Sequence, residues 1–223
     1  MRREIVAVNP CDGLEFPPPA RRRERIASPS EAAALIAALP VADRVLWSIA
    51  VYAGLRAGEI LDLQRGDVDL AAGRIHVRRS WDPTSGAFVD PKSKAGCRVV
   101  PIAGMLRDEL LEHRMRTESV SSAPDALVVA RRNGLSLVHS AILARARRAW
   151  QRVKLQPLGL HEARSHCCQH LDRRWAEHPC GEHIRGPLRC GVHAEPLRAP
   201  TPGDHDHAKQ TLDRFLEAHL TVR

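Results

Sequence analysis

The chain has 223 residues, 43% of them hydrophobic, enough for one buried core with extensions. Its 34 Lys and Arg against 26 Asp and Glu leave a formal charge of +8, which favours a polyanionic partner, nucleic acid first, although arginine-rich composition also follows from GC-rich coding. Aromatic residues at 4% are too few for base stacking to dominate such a contact. The longest apolar run, Val45 to Leu55, is broken by Ser48 and too short to span a bilayer, and no apolar region follows Arg2 and Arg3 to form a signal peptide. The six cysteines lack a secretory context and read as reduced thiols, so the expected setting is cytoplasmic, with no membrane partner.

In chain order, residues 1–25 read as a linker: Asn9-Pro10, the stiff run Pro17-Pro18-Pro19, then Arg21-Arg22-Arg23. Ser28-Pro29-Ser30-Glu31 opens a helix, with Ser28 as cap, Pro29 in the first turn and Glu31 three residues on; Pro40 ends it. Val45, Leu46, Ile49 and Val51 give the apolar face of a second helix, which Gly54 stops. A third begins almost at once, with Glu59 in its first turn, where a carboxylate suits the helix dipole. Arg56 then sits in the elbow between two helices, a place to hold an anion; taken alone, it reads first as a surface arginine near a helix start.

After Leu63 the period changes. Arg74 to Arg78, Ala87 to Val89 and Arg98 to Ile102 read as three strands of a small antiparallel sheet, with a basic tip at Pro91-Lys92-Ser93-Lys94-Ala95-Gly96. Met105 to Met115 is an amphipathic helix, Leu127 to Val129 a short extended piece, and Leu137 to Val153 a long helix with a basic face of Arg145, Arg147, Arg148 and Arg152, followed by Lys154. His161 to Arg164 follows.

Three segments in this order, "GLRAGEILDL", "PKSKAG" leading to "RVVPI", and "LGLHEAR", resemble the catalytic domain of the tyrosine recombinases, the phage-integrase family, over roughly residues 26–164. The resemblance implies a mainly helical α+β fold with a small three-stranded antiparallel sheet. It implies double-stranded DNA as partner, other recombinase protomers as further candidates, and neither metal nor nucleotide cofactor. A tyrosine hydroxyl attacks a phosphodiester in such enzymes. The site residues that match are Arg56 and Arg164 as the phosphate-binding pair, Lys92 (or Lys94) as the acid for the leaving 5′ oxygen, and His161 assisting proton movement. Paired arginine forks suit the charge of that transition state. Lys94, Arg145, Arg148 and Arg152 are the expected DNA contacts. The family likeness also makes residues 1–25 a remnant following a missing N-terminal DNA-clamping domain.

The pattern breaks after Arg164. The family continues with a helix, a Gly-His pair and the nucleophilic tyrosine about ten residues further. Here the only tyrosine is Tyr52. Residues 165–203 instead crowd cysteines (Cys167, Cys168, Cys180, Cys190) with histidines (His166, His170, His178, His183, His193) and lose apolar periodicity. One reading is a zinc site, but His178, Cys180, His183, Cys190 and His193 lack the regular paired spacing of structural sites. The sharper reading is a slipped reading frame. Displaced by one base, codons for Ser165 to Ile184 can be read as HTAASIWIDAGLNTRAVSTY, which continues "HEAR" into the family's usual run. The same displacement permits Gly-His at Gly186-Pro187 and a tyrosine at Leu197. The original frame returns near Pro202, and residues 204–223 read as a C-terminal amphipathic helix. The sequence therefore points to a recombinase of mobile DNA, bacterial and nucleoid-associated, that lacks its nucleophile as written. A non-catalytic DNA-binding module or inhibitor of an intact recombinase is the alternative, and a zinc-binding protein comes third.

Overall fold

The computed structural model describes residues 25–82, 86–89, 97–118, 122–131, 134, 137–165, 206, 209–210, 212–214 and 216–218. Helix α1 (Pro29–Ala37) starts where the sequence places it. The Ser28 hydroxyl accepts the Glu31 N–H at 3.1 Å, and Pro29 occupies the first turn, where its missing N–H costs nothing. The far end is closed from the next helix, because Arg44 donates to the carbonyls of Ala37 (2.9 Å) and Leu39 (3.1 Å). Helix α2 (Val41–Ser48) runs into a π turn, Ile49–Ala53, in which all five residues are buried. Gly54 then stops it at φ 62°, a left-handed conformation that a side chain would strain.

Helix α3 (Ala57–Leu61) follows, then a 3-10 turn, Arg65–Asp67. Strands β1 (Val68–Asp69), β2 (Arg74–Val77), β3 (Ser80–Asp82), β4 (Ala87–Val89) and β5 (Arg98–Pro101) come next. They form two sheets. The three-stranded sheet has the order β1-β2-β5, all antiparallel, with Ile75 opposite Val100 and Val77 opposite Arg98. Residues Ala87–Val89, expected in that sheet, pair instead with Ser80–Asp82 in a separate hairpin. The reason is local: the Gly86 N–H bonds the Asp82 carbonyl at 2.9 Å, with Gly86 at φ 63°, so that β3 is the nearest partner in sequence. The sheet's third strand is the two-residue β1, too short to give a period-two signal.

Helix α4 (Gly104–Thr117) has no side-chain cap of its own, since Ala103 precedes it. The C-terminal helical residues supply one: the Gly104 N–H donates to Asp213 Oδ1 at 2.6 Å, while Leu212 and Leu216 are buried in the core. Helix α5 (His139–Arg152) buries Ile142, Ala146 and Trp150, a four-residue spacing that makes one face. Trp150 meets Trp47 of α2 edge-on, with ring centroids 4.8 Å apart, and donates its indole N–H to the Leu35 carbonyl at 2.8 Å. One side chain thus ties α1, α2 and α5 together. Arg145 adds a bidentate grip on Asp43 of α2, at 2.9 and 2.7 Å. Beyond its C-cap Val153, Lys154 takes φ 57° without being glycine, and the Leu155 N–H bonds back to the Trp150 carbonyl.

Gly58 marks where α3 lies hard against β3. A Cβ there would stand 2.5 Å from both Ser80 Oγ and the Trp81 carbonyl oxygen. Gly58→Ala is expected to destabilise the fold by about 1–3 kcal/mol, because one of the two obstacles is backbone and has to move. Chemical denaturation of wild type and variant measures this; equal midpoints refute it.

Candidate functional site

The site is built around the start of α3. Arg56 is the residue that caps this helix, in an extended conformation, and Glu59 stands at its third position. Glu59 reaches back: its Oε2 accepts the Arg56 N–H at 2.7 Å and its Oε1 accepts Arg56 Nη1 at 3.0 Å. Arg98 of β5 comes from the other side, with Nη1 to Oε1 and Nη2 to Oε2, both at 2.8 Å. Glu59 is 6% exposed, while the Arg56 side chain is 50% exposed. Burial pushes the Glu59 carboxyl up, but the Arg98 hydrogen bonds and charge, with the bonds from Arg56, outweigh it and bring it down to about 2. The result is an arginine tied to Glu59 through its backbone N–H and Nη1, with its side chain half exposed.

Residues 160–165 form a second short helical segment with the same closure. Glu162 Oε2 accepts the Gly159 N–H at 2.7 Å, three residues back. His161 is exposed on this segment and Arg164 is 8% exposed. The loop before it is held by Arg25, whose Nη1 donates to the carbonyls of Gln156 and Pro157, both at 2.7 Å. Arg25, the last residue of the expected linker, is therefore part of what fixes the approach to His161.

Other expected site residues fall in three groups. Lys92 and Lys94, in the segment between β4 and β5, lie outside the described residues, as do Cys167 to His193, on which the zinc reading rests. Among the described residues no cluster of His, Cys, Asp or Glu could hold a metal. Arg148 and Arg152 stand exposed on α5. Arg145 of the same helix is spent on Asp43, whose hydrogen bonds and charge raise its pKa against the opposing effect of burial. Tyr52 sits in the π turn at 4% exposure, its phenol pushed up to about 12 by burial and then by the charge of Glu109.

Sequence reasoning missed Arg98. A signal existed: Glu59 precedes Ile60 and Leu61 in a helix start that must bury, and a buried carboxylate needs more than one donor. Nothing in the sequence says which of the many arginines supplies the second fork.

The model of the family described as "Phage integrase family" matches residues 24–178, more than half of the chain. The chain belongs to the phage integrase family. Its relatives include the ICEBs1 integrase of Bacillus subtilis, 34% identical over 104 residues (44% of this chain and 28% of that protein). The integrase of Mycobacterium phage D29 is 26% identical over 170 residues, which are 73% of this chain and 44% of that protein. The chain thus spans less than half the length of these two curated relatives. Among solved structures, the Tn1549 transposon integrase in complex with transposon right end DNA superposes with a TM-score of 0.64 at 16% identity, over 82% of this chain and 65% of that one. The fold is that of tyrosine recombinase catalytic domains: mainly helical, with a small three-stranded antiparallel sheet. No described helix is long and apolar enough to cross a membrane.

The depressed Glu59 carboxyl makes stability depend on acid. Because the folded-state value lies below the ordinary 4.5, its contribution is present above that value and is lost as pH falls towards about 2. Denaturant unfolding at pH 6, 4 and 2.5 is expected to show this loss, and Glu59→Gln to flatten that part of the profile. An unchanged profile in the variant contradicts the assignment.

Proposed function

We propose that the chain derives from a site-specific recombinase acting on double-stranded DNA of a mobile element, and that as written it binds DNA without forming the covalent enzyme–DNA link. The observation that carries the first half is the half-exposed Arg56 guanidinium, bound at a helix start to Glu59, which Arg98 also grips, in a chain of this family. Two arginine forks, Arg56 and Arg164, bind the non-bridging oxygens of the scissile phosphate and neutralise the pentacoordinate transition state. A tyrosine oxygen attacks phosphorus, the bond to the 5′ oxygen breaks, and Lys92 (or Lys94) delivers the proton that the leaving oxygen takes up. His161 assists proton movement at the attacked phosphate. Rejoining is the reverse, with the 5′ hydroxyl attacking the phosphotyrosine.

The observation behind the second half is Tyr52. It is the only tyrosine, it is buried in the π turn before Arg56, and its phenol holds its proton up to about pH 12. Bringing it to a phosphate would unpack a turn in which every residue is buried. Attack without metal needs a positioned hydroxyl, and the arginines stabilise only the charge that attack creates. The one-base displacement between Arg164 and Pro202 accounts for the missing nucleophile. It also agrees with the C-terminal helical residues, whose Leu212 and Leu216 pack as an in-frame amphipathic helix should. A DNA-binding module, or an inhibitor that occupies sites of an intact recombinase, is the activity left to the chain as written. On α5, Arg148 and Arg152 serve as phosphate contacts, and Arg145 orients the helix through Asp43.

Binding to a labelled duplex is expected to weaken steeply with salt, and Arg56→Ala or Arg148→Ala to lower the slope of log affinity against log salt by about 1 each. A salt-insensitive affinity contradicts this. On a suicide DNA substrate, the chain as written is expected to give no shifted band on a denaturing gel. A version with one base deleted after the Arg164 codon and one inserted near Pro202, supplied with an N-terminal clamp domain, is expected to give one. An adduct from the unrepaired chain, or a folded repaired chain that makes none, sinks the frame-slip account.

A further inference from the structure

Arg98 has no part in the chemistry above, yet both of its terminal nitrogens go to Glu59. An ionised carboxylate offers about four lone-pair sites. Glu59 has all four filled: Oε1 by Arg56 Nη1 and Arg98 Nη1, Oε2 by the Arg56 N–H and Arg98 Nη2. The charges matter as much as the bonds. Arg56 paired with Glu59 alone would be neutral, and an incoming phosphodiester would compete with a buried carboxylate 3.0 Å from the fork. With Arg98 present the group carries one net positive charge, and the half-exposed Arg56 is where that charge faces solvent.

Arg98 is also well placed to be rigid. It begins β5, paired in register with Val77 of β2, whose side chain is 4% exposed and packed in the core. A guanidinium fork on a paired strand loses little freedom on binding a carboxylate, whereas Arg56 lies at a helix entrance with no strand to fix it. The geometry points to Arg98 as a positioning residue of the phosphate site: it saturates and neutralises Glu59, so that Arg56, fixed through Nη1, offers the rest of its guanidinium and an uncancelled positive charge to a DNA phosphate. This rests on the assignment of Arg56 to phosphate, and the experiment separates the two.

The test uses the full chain, a labelled duplex at fixed low salt, and the Glu59 carboxyl followed by carbon NMR through an acid titration. Arg98→Met is expected to weaken duplex binding by about fivefold and to move the Glu59 titration upward from its present value. Arg98→Lys keeps the charge and loses the fork, so it gives the same direction at smaller size and serves if Arg98→Met does not fold. The decisive variant is the double one, Arg98→Met with Glu59→Gln. Glutamine still accepts from the Arg56 N–H but carries no charge to compete with phosphate, so affinity is expected to return to within about twofold of wild type. A merely structural role predicts a double variant no better than Arg98→Met, and that result overturns the inference. So does unchanged affinity in Arg98→Met when Arg56→Ala weakens binding. If Arg56→Ala itself leaves affinity unchanged, the phosphate assignment fails and the positioning role falls with it.

Discussion

A carboxylate taken out of water has to be met by donors on every side, and the Glu59 carboxylate is the point on which this site depends. It lies within hydrogen-bond reach of a helix entrance, α3, and of a sheet strand, β5. Neither element could carry it alone. The helix supplies one backbone N–H and one guanidinium nitrogen; the strand supplies the other guanidinium. Because an unpaired buried charge costs several kcal/mol, on the order of the net stability of a small domain, the pairing fixes where the sheet sits against the helices. The close approach at Gly58, which leaves no room for a Cβ between α3 and β3, acts in the same direction.

Elsewhere the fold is held by side chains that reach between its elements. Trp150 and Arg145 join α5 to α1 and α2. Arg25 holds the loop that leads to His161. Asp213 closes the N-terminus of α4, and with Leu212 and Leu216 it makes the C-terminal helical residues part of the packed body. The short helices at Arg56 and Gly159 share one device, a glutamate at the third position turned back on the chain. That device lets a helix of one or two turns begin abruptly, which suits an arginine that must stand at an exposed corner.

Much of this was legible in the residues. The Ser28 cap, the stop at Gly54, the start at Glu59 and the helix near 139–152 all follow from local rules: capping chemistry, glycine's access to positive φ, and apolar spacing. The strand partners were not. Ala87–Val89 looked like a member of the three-stranded sheet because alternation shows that a strand exists, not which strand it meets. Arg145 looked like one more residue of a basic face, since helical spacing cannot reveal Asp43 waiting on α2, 102 positions away.

By itself, the sequence determined the longer helices and three of the strands, the order of the three motif segments, the absence of a second tyrosine, and the excess of positive charge. These depend on neighbours within a few residues or on simple counts, so no coordinates were needed. Only the tertiary structure decided which arginines are spent inside the protein and which remain open. Arg98 and Arg145 each give two nitrogens to a carboxylate, while Arg56 gives Glu59 only one terminal nitrogen and stays half exposed, and Arg148 and Arg152 stand exposed. The physical reason is that every arginine carries the same fork and the same charge. What separates a structural one from a ligand-binding one is whether the fold places a buried acid within reach, and that is a property of chain crossings, not of any stretch of sequence.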